Sequence, residues 1–392
     1  MRLLERQKQL DALLPQFHHF WHPQPFCERR PAWCHGWPAL TEHLLALSDA
    51  DAAWLNQDGL ASMALLAECV PEVNDLHQPT AVPHCAEGVL SERATAWAWE
   101  IPGRKQQQIE AFARAIKLSE SSLVDWCGGK GHLGRLLALE SGRVVHTLEI
   151  DQALCNDGEL LAKRLRLNHG FVAADALAVT DWPKPGQHAV ALHACGDLHR
   201  RLLTQGVSVG TARLDVAPCC YYRGVSATGY QPLSGILSSR LSRDDLRLAV
   251  TETVTASARL TRQRDKEMAW KLGFDGYQRT VLGDRYKPFR SVPAPWFRTG
   301  FAEFLGLMAE REGLPSPSSQ SADKFEEDGW VRQREVFRLS IARHVFRRSL
   351  EVWLALDLAI YLENNGYTVG LGSFCERHIT PRNLLISAQL AA

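Results

Sequence analysis

The segment at residues 124–134 carries the clearest chemical pattern in this sequence. Its letters are VDWCGGKGHLG: a short apolar strand reaches Asp125, and glycines precede an amphipathic helix that begins near Leu133. A strand that turns into a helix in this way exposes backbone N–H groups at the positive end of the helix dipole. Gly129 and Gly131 let a ligand approach the backbone closely, because they have no Cβ. The segment therefore predicts a cradle for a nucleotide cofactor.

Two cofactors compete for this cradle. Residues 129–134 spell G-x-G-x-x-G, a dinucleotide-binding pattern that is weak evidence alone. Framed from Asp125, the same residues resemble the D/E-x-G-x-G-x-G pattern of class I S-adenosylmethionine (SAM) methyltransferases, with Cys127 at the first glycine. A carboxylate here would repel a pyrophosphate, whereas it can reach the ammonium of SAM through a water or a backbone group. Asp125 therefore favours SAM over NAD, and a tight turn without a ligand is the third interpretation.

Acidic residues also follow the next two predicted strands. Glu149 lies about 20 residues beyond the glycines, where a carboxylate binds ribose hydroxyls. Asp175 follows the third strand, where the acid of a methyltransferase accepts from the adenine amino group. Asp151 or Asp175 alone would more often cap a helix. Acids at three successive strand ends favour a cofactor site.

The alternation of elements predicts an α/β fold. Helices alternate with predicted strands near 122–127, 144–150, 171–175, 188–194 and 213–218, which implies a parallel, doubly wound sheet. A long helical stretch from about Glu335, an Asn-Asn-Gly stop at 364–366 and two late strands follow, as in the antiparallel hairpin that closes class I methyltransferase sheets. NAD-binding sheets are usually parallel throughout.

These patterns divide the chain into four predicted parts. They are a helical N-terminal module at 1–95, the first part of a SAM-binding Rossmann-like core at 96–224, a basic insertion and linker at 225–333, and a C-terminal helix and strand hairpin at 334–392. The Ser/Pro-rich stretch at 315–321 is the predicted flexible linker.

Composition and charge narrow the class of protein. The 392 residues are 45% hydrophobic and 22% charged, which is typical of an ordinary soluble protein. The N-terminus resembles no signal peptide, and the apolar run at 352–362 is too short to cross a bilayer. Ten cysteines then indicate reduced thiols in the cytoplasm. The net charge is zero, yet residues 223–300 hold 14 Lys and Arg against 7 Asp and Glu, an excess of +7. This excess favours a polyanionic partner such as RNA, although a solvated basic surface is the competing interpretation.

The fourth and fifth predicted strands end in residues suited to catalysis. His193 and Asp197 are candidate general bases, although Asp197 can equally cap the next helix. Tyr221 and its neighbour Tyr222 are candidates to stack on an unpaired base, and a core role for one of them is equally compatible. Cys219 follows a proline, as does the cysteine that attacks C6 in 5-methylcytosine enzymes, but that cysteine follows strand four.

The cysteines and histidines predict no metal site. Their spacing matches no zinc finger, ribbon or cluster pattern. For the N-terminal group, aromatic core packing is the preferred interpretation. The candidates weighed were Cys127, Cys195, Cys219 and Cys220 at the strand ends, and His22, Cys27, Cys34 and His35 near the N-terminus.

Four segments together resemble one methyltransferase family. They are CGGKGHLGR at 127–135, HACGDL at 193–198, APCCY at 217–221 and PRN at 381–383. The family includes eukaryotic methyltransferase-like proteins related to the "ribosomal RNA adenine dimethylase domain-containing" protein, and the tRNA ribose methyltransferase acting at position four shares its first motif. The resemblance implies a seven-stranded sheet and SAM binding by Cys127, Gly129, Gly131, Glu149, Asp175 and His193. Asp125 and Leu133 complete the predicted cofactor-binding residues.

The sequence thus predicts a SAM-dependent methyltransferase that acts on RNA, either tRNA or rRNA. Two alternatives stay open: a methyltransferase of a protein or small molecule, and a catalytically silent SAM-binding scaffold. An NAD oxidoreductase is a distant fourth.

Overall fold

The computed structural model describes residues 2–91, 95–236, 241–251 and 257–391. The chain forms two compact units. The sheet unit comprises Met1–Gln16, Asp75–Thr255 and Arg347–Ala392, and the helical unit comprises Phe17–Asn74 and Ala256–Phe346. Residues 17–74 therefore group with the later helices rather than with the rest of the predicted N-terminal module.

Both units contain helices. In the described residues the α-helices are α1 (Leu3–Leu13), α2 (His18–Trp21), α3 (Trp33–Gly36), α4 (Pro38–Ala46), α5 (Asp49–Gln57), α6 (Gly59–Ala67), α7 (His77–Thr80), α8 (Gly103–Ala115), α9 (His132–Ser141), α10 (Gln152–Arg164), α11 (Asp197–Val209), α12 (Arg243–Leu248), α13 (Ala258–Leu282), α14 (Phe301–Arg311), α15 (Ser319–His344) and α16 (Arg347–Asn364). Short 3₁₀ turns span Leu14–Phe17, Pro71–Leu76, Thr95–Ala98 and Ala294–Arg298.

Seven strands form one sheet in the order β3-β2-β1-β4-β5-β7-β6. They are β1 (Leu123–Trp126), β2 (Val145–Glu149), β3 (His169–Ala173), β4 (His188–Cys195), β5 (Arg213–Cys219), β6 (Tyr367–Ser373) and β7 (Leu384–Leu390). The first five are parallel, and β7 runs antiparallel to both β5 and β6. This sheet confirms the predicted class I methyltransferase-type fold.

Local sequence explains the main boundaries. All four residues of β1 are buried, as expected for a central strand covered on both faces. Gly131 caps α9 with a left-handed φ of 61°, and Gly366 turns the chain from α16 into β6 with φ 85°. The chain leaves the sheet after β5 and returns with α16, whose residues are almost all buried.

The carboxylate of Asp357 on α16 binds the start of the long segment between β5 and α16. It accepts hydrogen bonds from the Tyr230 hydroxyl at 2.7 Å and from the backbone N–H groups of Leu233 and Ser234 at 3.0 and 2.8 Å. Because Asp357 and Tyr230 are buried, these bonds hold the first part of the predicted insertion on the sheet unit.

Aromatic side chains form the core of the helical unit. Trp270 packs against Phe301 and Phe304 at ring distances of 5.6 and 5.1 Å. Near the N-terminus, Phe20 packs against Trp37 at 4.8 Å, which agrees with the expectation of aromatic packing there.

The predicted flexible linker at 315–321 is wrong in its second half. Ser318 caps α15 by accepting the Ser321 N–H, so the helix begins at Ser319, well before Glu335. The Tyr277 hydroxyl also bonds the Pro315 carbonyl. The serines had the composition of a linker, but here they act as helix caps. Among the described residues, no helix has the length and apolar character needed to cross a membrane.

A buried charge cluster at the start of β4 and β5 yields a stability prediction. Asp215 accepts from His188 Nε2 at 2.7 Å and from Arg213 Nε at 2.8 Å. Burial alone would raise the Asp215 pKa, but the bonds from His188 and the Arg213 charge lower it below its ordinary 3.8. We expect Asp215→Asn to lower the free energy of unfolding by about 3 kcal/mol at pH 7, since it leaves buried charge unpaired.

A carboxyl group whose pKa is lower in the folded protein stabilises the folded state at pH values above its ordinary pKa. This stabilisation is lost as the pH falls through the pKa that the group has in the folded protein. The difference between wild type and Asp215→Asn in urea unfolding should therefore be full at pH 5–7 and shrink below about pH 4. Asp284→Asn, which neutralises an exposed carboxylate 3.7 Å from Arg279, is the control and should cost under ~1 kcal/mol. A similarly small loss for Asp215→Asn would contradict the prediction.

Candidate active site

The glycine loop after β1 is built over a buried carboxylate. Asp125 is 2% exposed, and its Oδ2 accepts from the Gly134 N–H at 3.0 Å and from the Thr147 hydroxyl at 3.4 Å. It thereby joins β1, β2 and the first turn of α9. Burial raises the pKa of Asp125 to about 6, and these two hydrogen bonds partly oppose that rise.

The space beside the Asp125 carboxylate admits only a glycine at position 128. A Cβ on Gly128 would lie 2.3 Å from Asp125 Oδ2 and 2.7 Å from Thr147 Cγ2. Gly131 is similarly enclosed by His169 and Phe171. The backbone of the loop can therefore approach Asp125 only without side chains at these positions.

Glu149 at the end of β2 is held by three backbone donors. Its Oε2 accepts from the Gly129 N–H at 3.0 Å, and its Oε1 accepts from Ile150 and Asp151 at 2.9 and 3.1 Å. These bonds link the glycine loop to the neighbouring strand end. They also fix the carboxylate in one orientation, which is the requirement for recognising a pair of ribose hydroxyls.

A cavity of about 490 Å³ opens at the carboxyl ends of these strands. The predicted residues Cys127, Glu149, Asp175 and Asp197 line it together. Apolar side chains complete the wall, and two of them, Ile150 and Leu177, are 68% and 50% exposed. Exposed apolar residues beside two acids suit a flat heteroaromatic ring attached to a sugar.

Asp175 has a partly committed carboxylate. Its Oδ1 accepts from the Leu177 N–H at 2.9 Å, which shapes the turn after β3. Its second oxygen can accept from an amino group in the cavity. The hydrogen-bond acceptors and the shape of this half of the cavity therefore fit the adenosine part of SAM.

Strained backbone marks the carboxyl edge of the sheet. Cys127, His193 and Cys220 have left-handed φ values of 58°, 66° and 45°. Non-glycine residues adopt this region at a cost of roughly 1–3 kcal/mol, and such residues concentrate at functional sites. All three belong to segments that the sequence analysis assigned to the site.

His193 is a neutral imidazole at physiological pH. Burial lowers its pKa to about 4, and the charge of Arg382 adds to this effect. In the described part of the chain, its Nδ1 lies buried without a hydrogen-bond partner. A neutral, unpaired ring nitrogen can bind a polar group, but a base with so low a pKa accepts a proton weakly.

Asp197 begins α11 and lies against the loop after β5. The Asp197 N–H donates to the Arg223 carbonyl at 3.2 Å, and Gly224 has φ 82°. A Cβ on Gly224 would lie 1.9 Å from Asp197 Oδ2. The loop after β5 is therefore packed tightly on Asp197, and Asp197, Arg223 and Gly224 all line the cavity.

The thiols at the ends of β4 and β5 interact with one another. Cys195 Sγ lies 3.3 Å from Cys219 Sγ. Hydrogen bonds from Cys195 and Cys219, with Arg223 and Arg382 nearby, lower the pKa of the Cys220 thiol. The same hydrogen bonds and burial raise the pKa of Cys219.

Leu133 and Tyr221, two of the predicted site residues, are buried and do not line the cavity. Leu133 is 5% exposed and packs in the core beside α8 and β1. Tyr221 is 1% exposed, its ring edge contacts His199 at 5.5 Å, and burial raises its pKa well above 10. Tyr222, in contrast, is partly exposed beneath the Arg247 guanidinium at 5.3 Å. Tyr222 is therefore the more accessible of the two tyrosines.

Several residues at the site were not foreseen. Ile150 and Leu177 each follow a predicted acid by one or two positions, so their exposure could have been suspected from that adjacency. Arg382 belongs to the late PRN segment, and Lys105 precedes the first strand by a whole helix. Both cations act on the pKa of His193, which places them near it. Their proximity depends on chain packing and has no local signal.

The comparisons agree with this geometry. Residues 104–226 match a family model described as a methyltransferase domain. The "Glutathione S-transferase C-terminal domain-containing protein" of Xenopus laevis is 31% identical over 142 residues, which are 35% of this chain and 21% of that protein. This chain therefore spans about a fifth of the length of that curated relative.

Solved structures with a similar arrangement are distant in sequence. A TehB-like SAM-dependent methyltransferase from Corynebacterium glutamicum is 14% identical, with 28% of this chain and 60% of that one covered and a TM-score of 0.24. An rRNA methylase from Streptococcus thermophilus is 13% identical, with 36% and 93% covered and a TM-score of 0.24. Within the sheet unit, the match to the methyltransferase domain covers residues 104–226, which include β1 to β5 and the glycine loop.

The enclosed glycine above Asp125 yields a test of the loop. Gly128→Ala should destabilise the protein by about 2 kcal/mol, because the new methyl group overlaps Asp125 and Thr147. It should also weaken SAM binding about tenfold or more, roughly 1.4 kcal/mol, because Gly129 and Glu149 move with the loop. Thermal unfolding and calorimetric titration with SAM measure both effects.

Gly306→Ala is the matched control. Gly306 lies inside α14, a Cβ there meets nothing within 4 Å, and the change should be neutral or stabilise by up to ~1 kcal/mol. Wild-type SAM affinity in Gly128→Ala would show that the loop does not form part of the cofactor site.

Proposed function

We propose that this protein is a SAM-dependent methyltransferase that acts on RNA. The observation that carries the proposal is the division of one cavity into two chemically different halves. Acidic and apolar side chains line the half at β2 and β3, whereas Cys195, Asp197 and the cation Arg223 line the half at β4 and β5. The first half suits the cofactor and the second suits a polyanionic acceptor.

The cofactor half assigns a role to each residue. Glu149 would bind the ribose hydroxyls, and Asp175 would accept from the adenine amino group, with Ile150 and Leu177 against the ring. Asp125 would act on the amino-acid end through the backbone of the loop, since it is buried under that loop. When bound, SAM supplies a methyl group on a positively charged sulfur.

Methyl transfer is an in-line displacement in which the bond from methyl to sulfur breaks as a bond from methyl to acceptor forms. The protein's contribution is mainly alignment of the acceptor within about 3–3.5 Å of the methyl carbon. An acceptor that carries a proton must also lose it. Asp197 lines the cavity and is the better candidate to take that proton, because the low pKa of His193 makes it a weak base.

Cations around the acceptor half support RNA as the substrate. Arg223 and Arg247 are exposed on the segments after β5, and Lys105 is exposed at the start of α8. Arg382 acts electrostatically on both His193 and Cys220. Cations bind phosphates, and Tyr222 beneath Arg247 offers a ring on which an unpaired base can stack.

A labelling experiment tests the acceptor. Extract from cells that lack this gene would be incubated with purified protein and methyl-labelled SAM, and the label would be followed through RNase and protease digestion. We expect label that RNase releases and protease does not. Label released only by protease would support a protein acceptor, and label in neither fraction a small molecule. SAM binding without any transfer would support a silent scaffold.

Asp175→Ala tests the assignment of Asp175 to the adenine of SAM. Loss of the acceptor for the adenine amino group should weaken SAM binding about tenfold, or ~1.4 kcal/mol, without loss of the fold. Calorimetry and thermal unfolding measure the two effects. Asp181→Ala, a change of another exposed acid in the segment between β3 and β4, is the control. Unchanged affinity in Asp175→Ala would remove the adenine assignment.

Two charge-reversal variants test where RNA is held. Arg223 lines the cavity and Arg247 is exposed over the Tyr222 ring, whereas Arg259, Arg262 and Arg264 are exposed at the start of α13 in the helical unit. Reversal to Glu of either group should weaken RNA binding and flatten its salt dependence, by about 0.7 in slope per lost phosphate contact. Filter binding at several salt concentrations measures this, with SAM affinity as a check on folding.

The control reverses the exposed Lys8, Lys117 and Lys324, which changes the net charge as much as the triple arginine variant does. If the control weakens RNA binding as strongly as the arginine variants, the effect comes from net charge. In that case neither arginine group forms a specific RNA surface.

A further inference from the structure

Three thiols from two neighbouring strand ends converge beside the cavity. The Sγ atoms of Cys195, Cys219 and Cys220 all lie within 4.8 Å of one another. Cys195 and Cys219 are closest, at 3.3 Å, and all three cysteines are free thiols. Cys195 also lines the cavity, whereas Cys219 is buried. The group therefore has one side in the protein interior and one side towards the pocket.

A bulge in β4 brings the first pair together. Leu192 stands opposite Ala217 in the register of β4 and β5, but the next pair is Cys195 with Cys219. Three steps on β4 thus match two steps on β5, and the extra residue falls where His193 has a left-handed φ. Without that bulge, Ala194 would stand opposite Cys219. Bulges of this kind re-aim side chains beside functional sites.

A second strained residue brings in the third thiol. Successive side chains in a strand point to opposite faces, so neighbouring cysteines normally diverge. Cys220 follows Cys219 directly, but its φ of 45° breaks the alternation, and its Sγ falls within reach of the other two. Two separate departures from regular strand geometry, each costing about 1–3 kcal/mol, thus produce the same cluster.

We propose that Cys195, Cys219 and Cys220 bind one Zn²⁺ as thiolates. Thiolate sulfur favours zinc and other soft ions, and binding would release the thiol protons to solvent. Three thiolates and one Zn²⁺ carry a net charge of −1, which the neighbouring Arg223 and Arg382 would balance. The ion would hold the bulge of β4 and the turn after β5 in their strained conformations.

The site would have three protein ligands and one remaining position. Zinc sites with three protein ligands keep the fourth tetrahedral position for water or a substrate group. Because Cys195 lines the cavity, that position is available to a ligand on the acceptor side. The proposal goes beyond methyl transfer and does not depend on it.

Metal content and cobalt spectroscopy test the site. The full chain would be purified without chelators, with a phosphine reductant, from cells grown with added zinc. We expect about one zinc per chain by mass spectrometry of metals, as for a structural thiolate site. Replacement by Co²⁺ should give the sulfur-to-cobalt charge-transfer band and the intense visible bands of tetrahedral coordination. Both should be lost in Cys195→Ser and in Cys219→Ser.

Cys34→Ser is the control, because Cys34 is buried in the helical unit and should leave the zinc content unchanged. Circular dichroism reports whether each variant folds. A second measurement needs no variant: chelation of the wild-type protein should expose about three more thiols to a thiol reagent, and zinc should protect them again.

Two results would overturn the proposal. One is a reduced wild-type protein that contains no zinc and gives no charge-transfer band with Co²⁺. The other is a Cys195–Cys219 disulfide in the protein purified without reductant, with no metal uptake after reduction, which would make the pair a redox couple. SAM affinity, measured separately by calorimetry, distinguishes a failed metal site from a failed cofactor site.

Discussion

The site depends on one buried carboxylate. Asp125 lies under the glycine loop with almost no exposure, so the desolvation of its charge must be offset locally. The Gly134 N–H and the Thr147 hydroxyl offset it, and in doing so they join α9, β1 and β2 around one group. The loop then places the Gly129 N–H on Glu149. The orientation of the predicted ribose ligand thus follows from how a buried charge is satisfied.

The opposite half of the site depends on strained backbone rather than on a buried charge. The left-handed residue His193 interrupts β4, the left-handed residue Cys220 directly follows β5, and most residues of both strands are buried. Packing below the interruption supplies the stability that keeps them strained. These left-handed residues turn side chains towards one another that would otherwise diverge. The carboxyl edge of the sheet is therefore chemically asymmetric, with acids at β2 and β3 and thiols at β4 and β5.

The long segment between β5 and α16 does not interrupt the pairing of strands in the sheet. Asp357 binds the beginning of this segment through the Tyr230 hydroxyl and two backbone N–H groups. The antiparallel β7 then covers the edge of β5. Because these contacts lie within the sheet unit, residues directly after β5, such as Arg223, line the cavity while the sheet stays paired. The helical unit has an aromatic core of its own, centred on residues such as Phe304.

The sequence by itself determined the fold and brought the acids after β2 and β3 to one edge of the sheet. Strand periodicity, the glycine loop and acids after consecutive strands are local signals, and parallel strands bring their carboxyl ends to one edge. Glu149 and Asp175 therefore line one cavity, as their spacing indicated.

Only the tertiary structure decided the rest. Burial of Tyr221, exposure of Tyr222 and convergence of the three thiols all depend on side-chain direction, which a one-residue bulge or a single left-handed φ reverses. Capping at Ser318 likewise turned a predicted linker into a helix start. Such reversals arise from packing across the sheet and between helices, and the local pattern of residues does not contain them.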